Sequence, residues 1–154
     1  MEKTLVLLKP DALSRNLIGE ITKRLEQKGL KLIGMKMMQL DENILKKHYS
    51  HIADKPFFPG IANFMQKTPV IAQCWSGKEA VAVIRQLCGI TNAREALPGT
   101  IRGDFSMSIQ CNVIHASEDF AIAKEEVKRF FKEEELFEYD KLGLEYTYSS
   151  DERE

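Results

Sequence analysis

Four extended apolar runs, separated by stretches with the spacing of helices, organise this chain. Leu5 to Leu8 is a run of consecutive aliphatics, which predicts a strand buried on both faces in the middle of a sheet. Pro10 stops it, leaving Lys9 as the first polar side chain at the strand's carboxyl end. Ile18, Ile21, Thr22 and Leu25 then fall on one helical face, and Gly29 follows as a C′ residue. Leu30 to Leu40 reads as extended. Leu30, Leu32 and Met38 share one parity, Ile33, Met35 and Met37 the other, and the methionines suit core or subunit contacts.

Asp41 is the next predicted N-cap, with Leu40 and Leu45 as a hydrophobic staple. Ile44, Leu45, His48 and Tyr49 carry that helix to about His51. Lys55-Pro56-Phe57-Phe58-Pro59-Gly60 is a rigid aromatic turn leading into a short helix, Ile61 to Lys67. Two adjacent phenylalanines between prolines cannot easily both point inward, so one of them suits either an apolar slab against a planar ligand or packing between the helices. Val70 to Trp75 is a second strongly apolar strand. Ser76-Gly77-Lys78-Glu79 reads as a capping box for a helix burying Ala80, Val81, Ile84, Leu87 and Cys88, with Arg85 on its other side and Gly89 at its end.

Thr91 to Asp104 reads as a loop of about a dozen residues, long enough in a compact domain to suggest function. It carries Thr91, Asn92, Arg94, Thr100 and Arg102, all donors that suit phosphate. Met107 to Ile114 is predicted as the last strand. His115 stands at its tip, and a helix runs from Glu118 to about Phe131, with Phe120, Ala123, Val127 and Phe130 at helical spacing. Ser117 is the expected N-cap of that helix, with Glu118 and Asp119 in its first turn. The charged end of the chain, about 141–154, reads as a surface-hugging tail with a frayed acidic tip.

Strands alternating with helices favour an α/β two-layer sandwich. With four strands and two main crossover helices, the ferredoxin-like βαββαβ arrangement, a four-stranded antiparallel sheet with additional helices, is the economical choice. At 154 residues the chain is expected to form one domain, 1–154, able to bury a core without staples.

Charge narrows the function. The 22 basic and 23 acidic residues nearly cancel, so a general nucleic-acid surface is not indicated, although a local basic pocket is compatible with the balance. No apolar stretch approaches the roughly 20 residues needed to span a membrane, and the start of the chain lacks the pattern of a signal peptide. Cys74, Cys88 and Cys111 lie scattered in apolar runs and read as small buried hydrophobes in a reducing cytoplasm, not as metal ligands.

Gly-x-x-x-x-Gly-Lys, Gly-x-Gly-x-x-Gly and the His-Arg-Asp with Asp-Phe-Gly pair are all absent, which excludes P-loop, dinucleotide and protein-kinase sites. What remains is Lys9 at a strand end, Arg85 on a helix, Thr91 and Arg102 on a loop, and His115 between a strand and a helix start. A histidine in that place is either a hydrogen-bonded structural residue or an imidazole that itself accepts a phosphoryl group. Four phosphate donors beside one nucleophile suit phosphoryl transfer, in which positioning and charge neutralisation supply most of the catalysis.

These residues carry a close family resemblance. Asn112-Val113-Ile114-His115-Ala116-Ser117 resembles the Asn-x-x-His-Gly/Ala-Ser signature of nucleoside diphosphate kinases. Leu8-Lys9-Pro10-Asp11, Lys55 to Gly60, Thr91-Asn92 and Pro98-Gly99-Thr100-Ile101-Arg102-Gly103-Asp104-Phe105 match that family in the same order, over about residues 3 to 140. The resemblance implies ping-pong transfer of the γ-phosphate of a nucleoside triphosphate, typically ATP, to a nucleoside diphosphate through a phosphohistidine on His115. Lys9, Arg85, Thr91 and Arg102 would bind phosphates, while Tyr49 and Asn112 shape and support the site. Phe57 would stack on the base, with Ile61 and Ile109 completing an apolar cleft. Ser117 and Glu126 would hold the imidazole, Glu126 on the nitrogen that is not phosphorylated. Stacking discriminates little between bases, so ATP, GTP, ADP, GDP and other nucleotides are all expected partners. Mg²⁺ is expected to arrive on the phosphates, since no dense carboxylate cluster is visible and no side chain is expected to ligate it.

The resemblance also implies a homo-oligomer, a tetramer or a hexamer, with no stable nucleic-acid or membrane partner. The chain departs from the pattern at Glu118 and Asp119, where the family usually has Asp and then Ser, and at Ala93, where a proline is frequent. The other function class considered is a non-catalytic oligomeric αβ regulatory protein that binds nucleotide or nucleic acid. Against it stand the missing aromatic RNA-binding strand motif and the presence of every donor beside the nucleophile.

Overall fold

A computed structural model of the chain describes residues 1–153. Its centre is β1 (Glu2–Leu8), whose five last residues are all buried. Leu5 and Leu7 face one apolar cluster and Val6 and Leu8 another, so the aliphatic run is uninterrupted because both faces of the strand are covered. The sheet order is β2-β3-β1-β4, with every neighbouring pair antiparallel. β2 spans Lys31–Met38, β3 Val70–Gly77 and β4 Ile114–Ala116. This is the ferredoxin-like sheet, built from βαββαβ.

The crossover helices α2 (Ile18–Gln27) and α5 (Ala80–Cys88) cover the Val6–Leu8 face, through Ile21, Leu25, Ala80 and Ile84. The short α1 (Pro10–Ser14) lies between β1 and α2. The opposite face is covered by α3 (Glu42–His48), α4 (Phe58–Met65) and α7 (Phe120–Phe130), which add Leu45, Phe58, Ala62, Met65, Val127 and Phe130. Gln73 is buried in β3 without cost, because it donates to Thr22 Oγ1 at 2.8 Å and accepts from Trp75 Nε1 at 3.0 Å. Asp41 caps α3 as its sequence suggests, accepting from the Ile44 amide at 2.8 Å.

Several boundaries differ from the pattern reading. Pro10 ends β1 but also opens α1, since a proline at the first helical position loses no helical hydrogen bond. Ser76 and Gly77 belong to β3, and Glu79, with φ +51°, precedes α5 without capping it. The Glu2 carboxylate accepts from the Val81 amide at 3.2 Å instead, a partner 79 residues away. The expected loop 91–104 contains the start of α6 (Ile101–Phe105), capped by Thr100. Gly103 is required there, because a Cβ would lie 2.1 Å from the Leu97 carbonyl oxygen.

Met107 to Val113 is not strand: only Ile114–Ala116 pairs with β1. Met107, Ile109 and Cys111 are accordingly exposed, so Cys111 is not the buried hydrophobe that its apolar neighbours suggest. Phe120 is also exposed, with Lys124 lying 4.3 Å from its ring centroid.

Ile33 is an extra residue in β2, between Leu32 and Gly34 of the pairing with β3. The tail completes this edge. Phe137 donates its amide to the Ile33 carbonyl at 2.8 Å, and Tyr139 its hydroxyl to the Leu32 carbonyl at 2.8 Å. Gly34 permits that approach, since a Cβ would meet a Leu136 methyl at 2.8 Å. The tail does hug the surface, with short 3₁₀ turns at Glu133–Glu135, Leu144–Tyr146 and Ser150–Glu152. Of the expected frayed tip, residue 154 lies outside the described residues. No helix among the described residues is long and apolar enough to cross a membrane.

Candidate active site

The site lies at the carboxyl end of β1. His115 pairs with Leu7 and therefore projects with it toward α7, and Lys9, two residues on, shares that face. Between them the chain makes a tight turn. Val113 has φ +60°, rare for a β-branched residue and worth roughly 1–3 kcal/mol of strain. Three bonds hold it there: the Ile114 amide donates to the Asn112 carbonyl at 2.7 Å, the Lys9 amide to the Val113 carbonyl at 2.9 Å, and the Val113 amide to Asp11 Oδ2 at 3.0 Å. The turn points Asn112 and His115 in the directions that the site uses.

Asn112 is buried and works as a hub. Its Oδ1 accepts from Lys9 Nζ at 2.6 Å, and its amide group donates to the Ile109 and Thr91 carbonyls at 2.7 and 3.0 Å. Burial, followed by the Arg102 charge, lowers the Lys9 pKa to about 8. Against its ordinary value that represents roughly 3 kcal/mol of disfavoured charge, which an incoming phosphate would relieve. Arg102, on α6, donates from Nη1 to the Gly89 carbonyl at 2.7 Å and from Nη2 to the Ile114 carbonyl at 2.8 Å, one peptide from His115. Burial pulls its pKa down, and Arg85 on the exposed face of α5 is near enough to add to the effect.

Behind His115 stands Glu126 of α7, a buried carboxylate. Both of its oxygens lie 3.2 Å from His115 Nε2, and Oε2 also accepts from Ser117 Oγ at 2.6 Å. Burial by itself would raise the Glu126 pKa. The hydrogen bond and charge of His115, with His48 and Ser117 adding to them, hold it down at about 2. A carboxylate accepts, so Nε2 carries the imidazole proton and Nδ1 is left with its lone pair. Ser117 is thus not the cap of α7. Asp119 caps it, accepting from the Ile122 amide at 2.8 Å, while Ser117 also receives the Leu5 amide at 3.4 Å.

Tyr49 follows α3 as its C-cap, half-buried against His48, and burial together with Glu126 raises its hydroxyl to about 12. Phe57 is exposed while Phe58 is buried, so the two phenylalanines split as their flanking prolines suggest. Gln110 donates to the Gly60 carbonyl at 3.3 Å, which ties the exposed Ile109 segment to the turn that carries Phe57 and Ile61. The expected residues therefore gather at one end of the sheet. Thr91 joins through its carbonyl and Arg85 through its charge.

Sequence reasoning missed two contributors. Asp11 was visible in Lys9-Pro10-Asp11, but nothing local shows that it receives an amide 102 residues away. His48 sits in the apolar stripe of α3, three residues after Leu45, and that position was its only signal. The one cluster of metal-ligand type among the described residues is His48, His115 and Glu126, whose ligand atoms lie within 4.8 Å of one another. Both carboxylate oxygens of that cluster already accept from His115 Nε2, and one of them from Ser117 Oγ as well.

A carboxylate-held imidazole beside a lysine and two arginines, on a ferredoxin-like sheet, is the equipment of a phosphotransferase. The sequence profile of the nucleoside diphosphate kinase family matches residues 2–136. A nucleoside diphosphate kinase of Parabacteroides distasonis is 53% identical over 152 residues, 99% of each chain. One from Pyrococcus horikoshii is 49% identical over 145 residues, 92% of each chain. The solved structure of a halophilic nucleoside diphosphate kinase from Halobacterium salinarum, in complex with CDP, superposes with a TM-score of 0.93 at 43% identity, covering 96% of this chain and 99% of that one. The chain belongs to the nucleoside diphosphate kinase family, enzymes that act on nucleotides and as nucleotide kinases generally use a divalent metal.

Proposed function

We propose that His115 carries the phosphoryl group between nucleotides. Its Nδ1 lone pair attacks the γ-phosphorus of a nucleoside triphosphate, the bond to the β-γ bridging oxygen breaks, and that electron pair leaves on the diphosphate. The imidazolium so formed keeps its Nε2 proton against the Glu126 carboxylate. A second nucleoside diphosphate then attacks the phosphohistidine with its terminal phosphate oxygen, which reverses the step and frees Nδ1. The observation that supports this reading is the 3.2 Å contact between Nε2 and Glu126, which leaves Nδ1 on the other side of the ring for the phosphorus.

Lys9, Arg85, Arg102 and Thr91 bind the phosphates, and Asn112 and Tyr49 support them. Phe57, Ile61 and Ile109 receive the base, which suits broad use of ATP, GTP, ADP and GDP. Mg²⁺ enters on the nucleotide phosphates and offsets their charge. Nucleotide binding is supported by the CDP complex of the H. salinarum relative. Assembly as a homo-oligomer, a tetramer or hexamer, is supported by the exposed Met35 and Met37 on β2. The three free thiols fit a reducing cytoplasm.

Incubation with γ-labelled ATP and Mg²⁺ should give an acid-labile, base-stable phosphoenzyme that is lost on adding GDP or CDP. His115→Ala should abolish it while remaining folded. Label on a serine, or normal turnover in that variant, would refute the assignment.

A further inference from the structure

Asp11 lies in the first turn of α1, yet its carboxylate serves a segment 102 residues away. Oδ2 accepts from the Val113 amide at 3.0 Å, and among the described residues Oδ1 is buried with no partner. The carboxylate is thus committed to one amide. Lys9 meets the same turn from its other side. Its own amide donates to the Val113 carbonyl at 2.9 Å, and its carbonyl accepts from the Ala12 and Leu13 amides at 3.0 and 3.3 Å. Residues 9–13 and 112–114 therefore form one hydrogen-bonded unit.

The N–H that Asp11 holds belongs to the peptide between Asn112 and Val113. The orientation of that peptide about the Val113 N–Cα bond is what the φ of +60° measures, so the carboxylate acts on the strained torsion itself. Without it, a fully buried residue would keep an unmatched N–H as well as a backbone that valine disfavours. Rotating the peptide relieves the strain, and Asn112 rotates with it. Asn112 Oδ1 accepts from Lys9 Nζ at 2.6 Å, and the Ile114 carbonyl just beyond the turn accepts from Arg102 Nη2 at 2.8 Å. A rotation at Val113 would disturb both cations together with His115.

We propose that Asp11 is a positioning residue of the transfer site: by holding the Val113 amide it fixes the left-handed turn from which Asn112, Lys9 and His115 take their places. Its charge has a second effect. Burial, then Arg102 of α6, lowers the Lys9 pKa to about 8, while Asp11, Cys111 and Cys88 of α5 act in the opposite sense. Asp11 thereby widens the pH range over which Lys9 keeps its proton. This deepens the phosphohistidine reading and rests on it.

Two variants separate the bond from the charge. Asp11→Ala removes both, whereas Asp11→Asn keeps an oxygen for the amide and removes the charge. Asp11→Ala should lose about 10- to 100-fold in single-turnover phosphorylation at saturating ATP, and Asp11→Asn about threefold or less. In Asp11→Asn the rise of nucleotide KM with pH should begin at lower pH than in the wild type, because Lys9 gives up its proton sooner. Hydrogen exchange at the Val113 and Ile114 amides should quicken in Asp11→Ala and not in Asp11→Asn. Wild-type rates in Asp11→Ala overturn the proposal. So does an Asn variant as slow as the Ala variant, or one with the wild-type KM profile. If Asp11→Ala does not fold, Asp11→Asn decides by itself, and a loss beyond about tenfold then refutes the assignment. Amide exchange needs no turnover, so failure of the wild type to form phosphohistidine would sink the reaction while leaving the hold of Asp11 on the turn separately decided.

Discussion

The His115 end of the sheet and its β2 edge both carry charged residues, and they handle charge in opposite ways. Along β2 the ions are exposed or half-exposed and paired one against another: Glu138 with Lys3 at 2.7 Å and Lys31 at 3.1 Å, and Glu135 with Lys36 at 2.6 Å. Water screens those pairs, so each contributes little and each is replaceable. At the site a single buried carboxylate, Glu126, faces two imidazoles and a serine, and two half-buried cations, Lys9 and Arg102, stand beside strained backbone. There, Glu126 accepts from His115 and Ser117 and Asn112 accepts from Lys9, and losing a partner leaves the other uncompensated. The edge secures the tail; at the site, burial and close neighbours shift the pKa values of Lys9 and Glu126 below their ordinary ones.

The sharpest break of this contrast is Glu126→Gln. It keeps the shape, removes the charge, and should slow phosphorylation of His115 by about 100-fold in a rapid-quench single-turnover experiment. The carboxyl pKa of about 2 lies below its ordinary 4.5, so wild-type stability from this group is present above pH 4.5 and is lost as pH falls toward 2. His48 adds to the loss from pH 6.5 down toward 3, because the unfolded chain binds a proton that the folded one refuses. Thermal melts of the Gln variant should therefore lose the lower part of that acid decline and keep the upper part. An undiminished rate, or an unaltered acid decline, would place the contrast elsewhere.

A smaller effect is expected at Lys9. As pH rises through about 8 the ammonium is lost, and nucleotide KM should climb several-fold by pH 9 while the fold persists. A KM flat to pH 10 would mean that this lysine is as solvated as those of the edge. The smallest effect is expected at the edge itself. Glu138→Ala should change stability by about 0.5 kcal/mol or less, shrinking further in high salt, as read from urea midpoints. A loss of several kcal/mol would erase the distinction between the two regions.

Much of the scaffold was legible because it rests on local periodicity. The aliphatic run of β1, the stripe of α2 and the Asp41 cap read correctly from neighbours within one or two turns. The site residues were legible as types in order: Lys9, Arg102, Asn112 and His115 bear chemistry that few cores tolerate. Legibility failed where two local signals competed and a distant group decided. Ser117 and Asp119 are both good caps, and Ser117 was drawn away by the Leu5 amide and by Glu126. Met107 to Val113 has the composition of a strand, but the chain turns at Val113 and no neighbouring strand pairs with the residues before it.

By itself, then, the sequence determined the alternation of strands and helices and the two-sided burial of β1, and it singled out the groups proposed to react, all of which depend on side-chain type and short-range spacing. Only the tertiary structure decided that His115 Nε2 faces Glu126, that the His48 ring borders the His115 ring, and that Asp11 secures the turn at Val113. Those outcomes come from contacts between residues 11 to 112 positions apart. Such contacts exist only after the sheet has formed, and the low-dielectric pocket that gives them their strength is made by the packing and not by any segment of it.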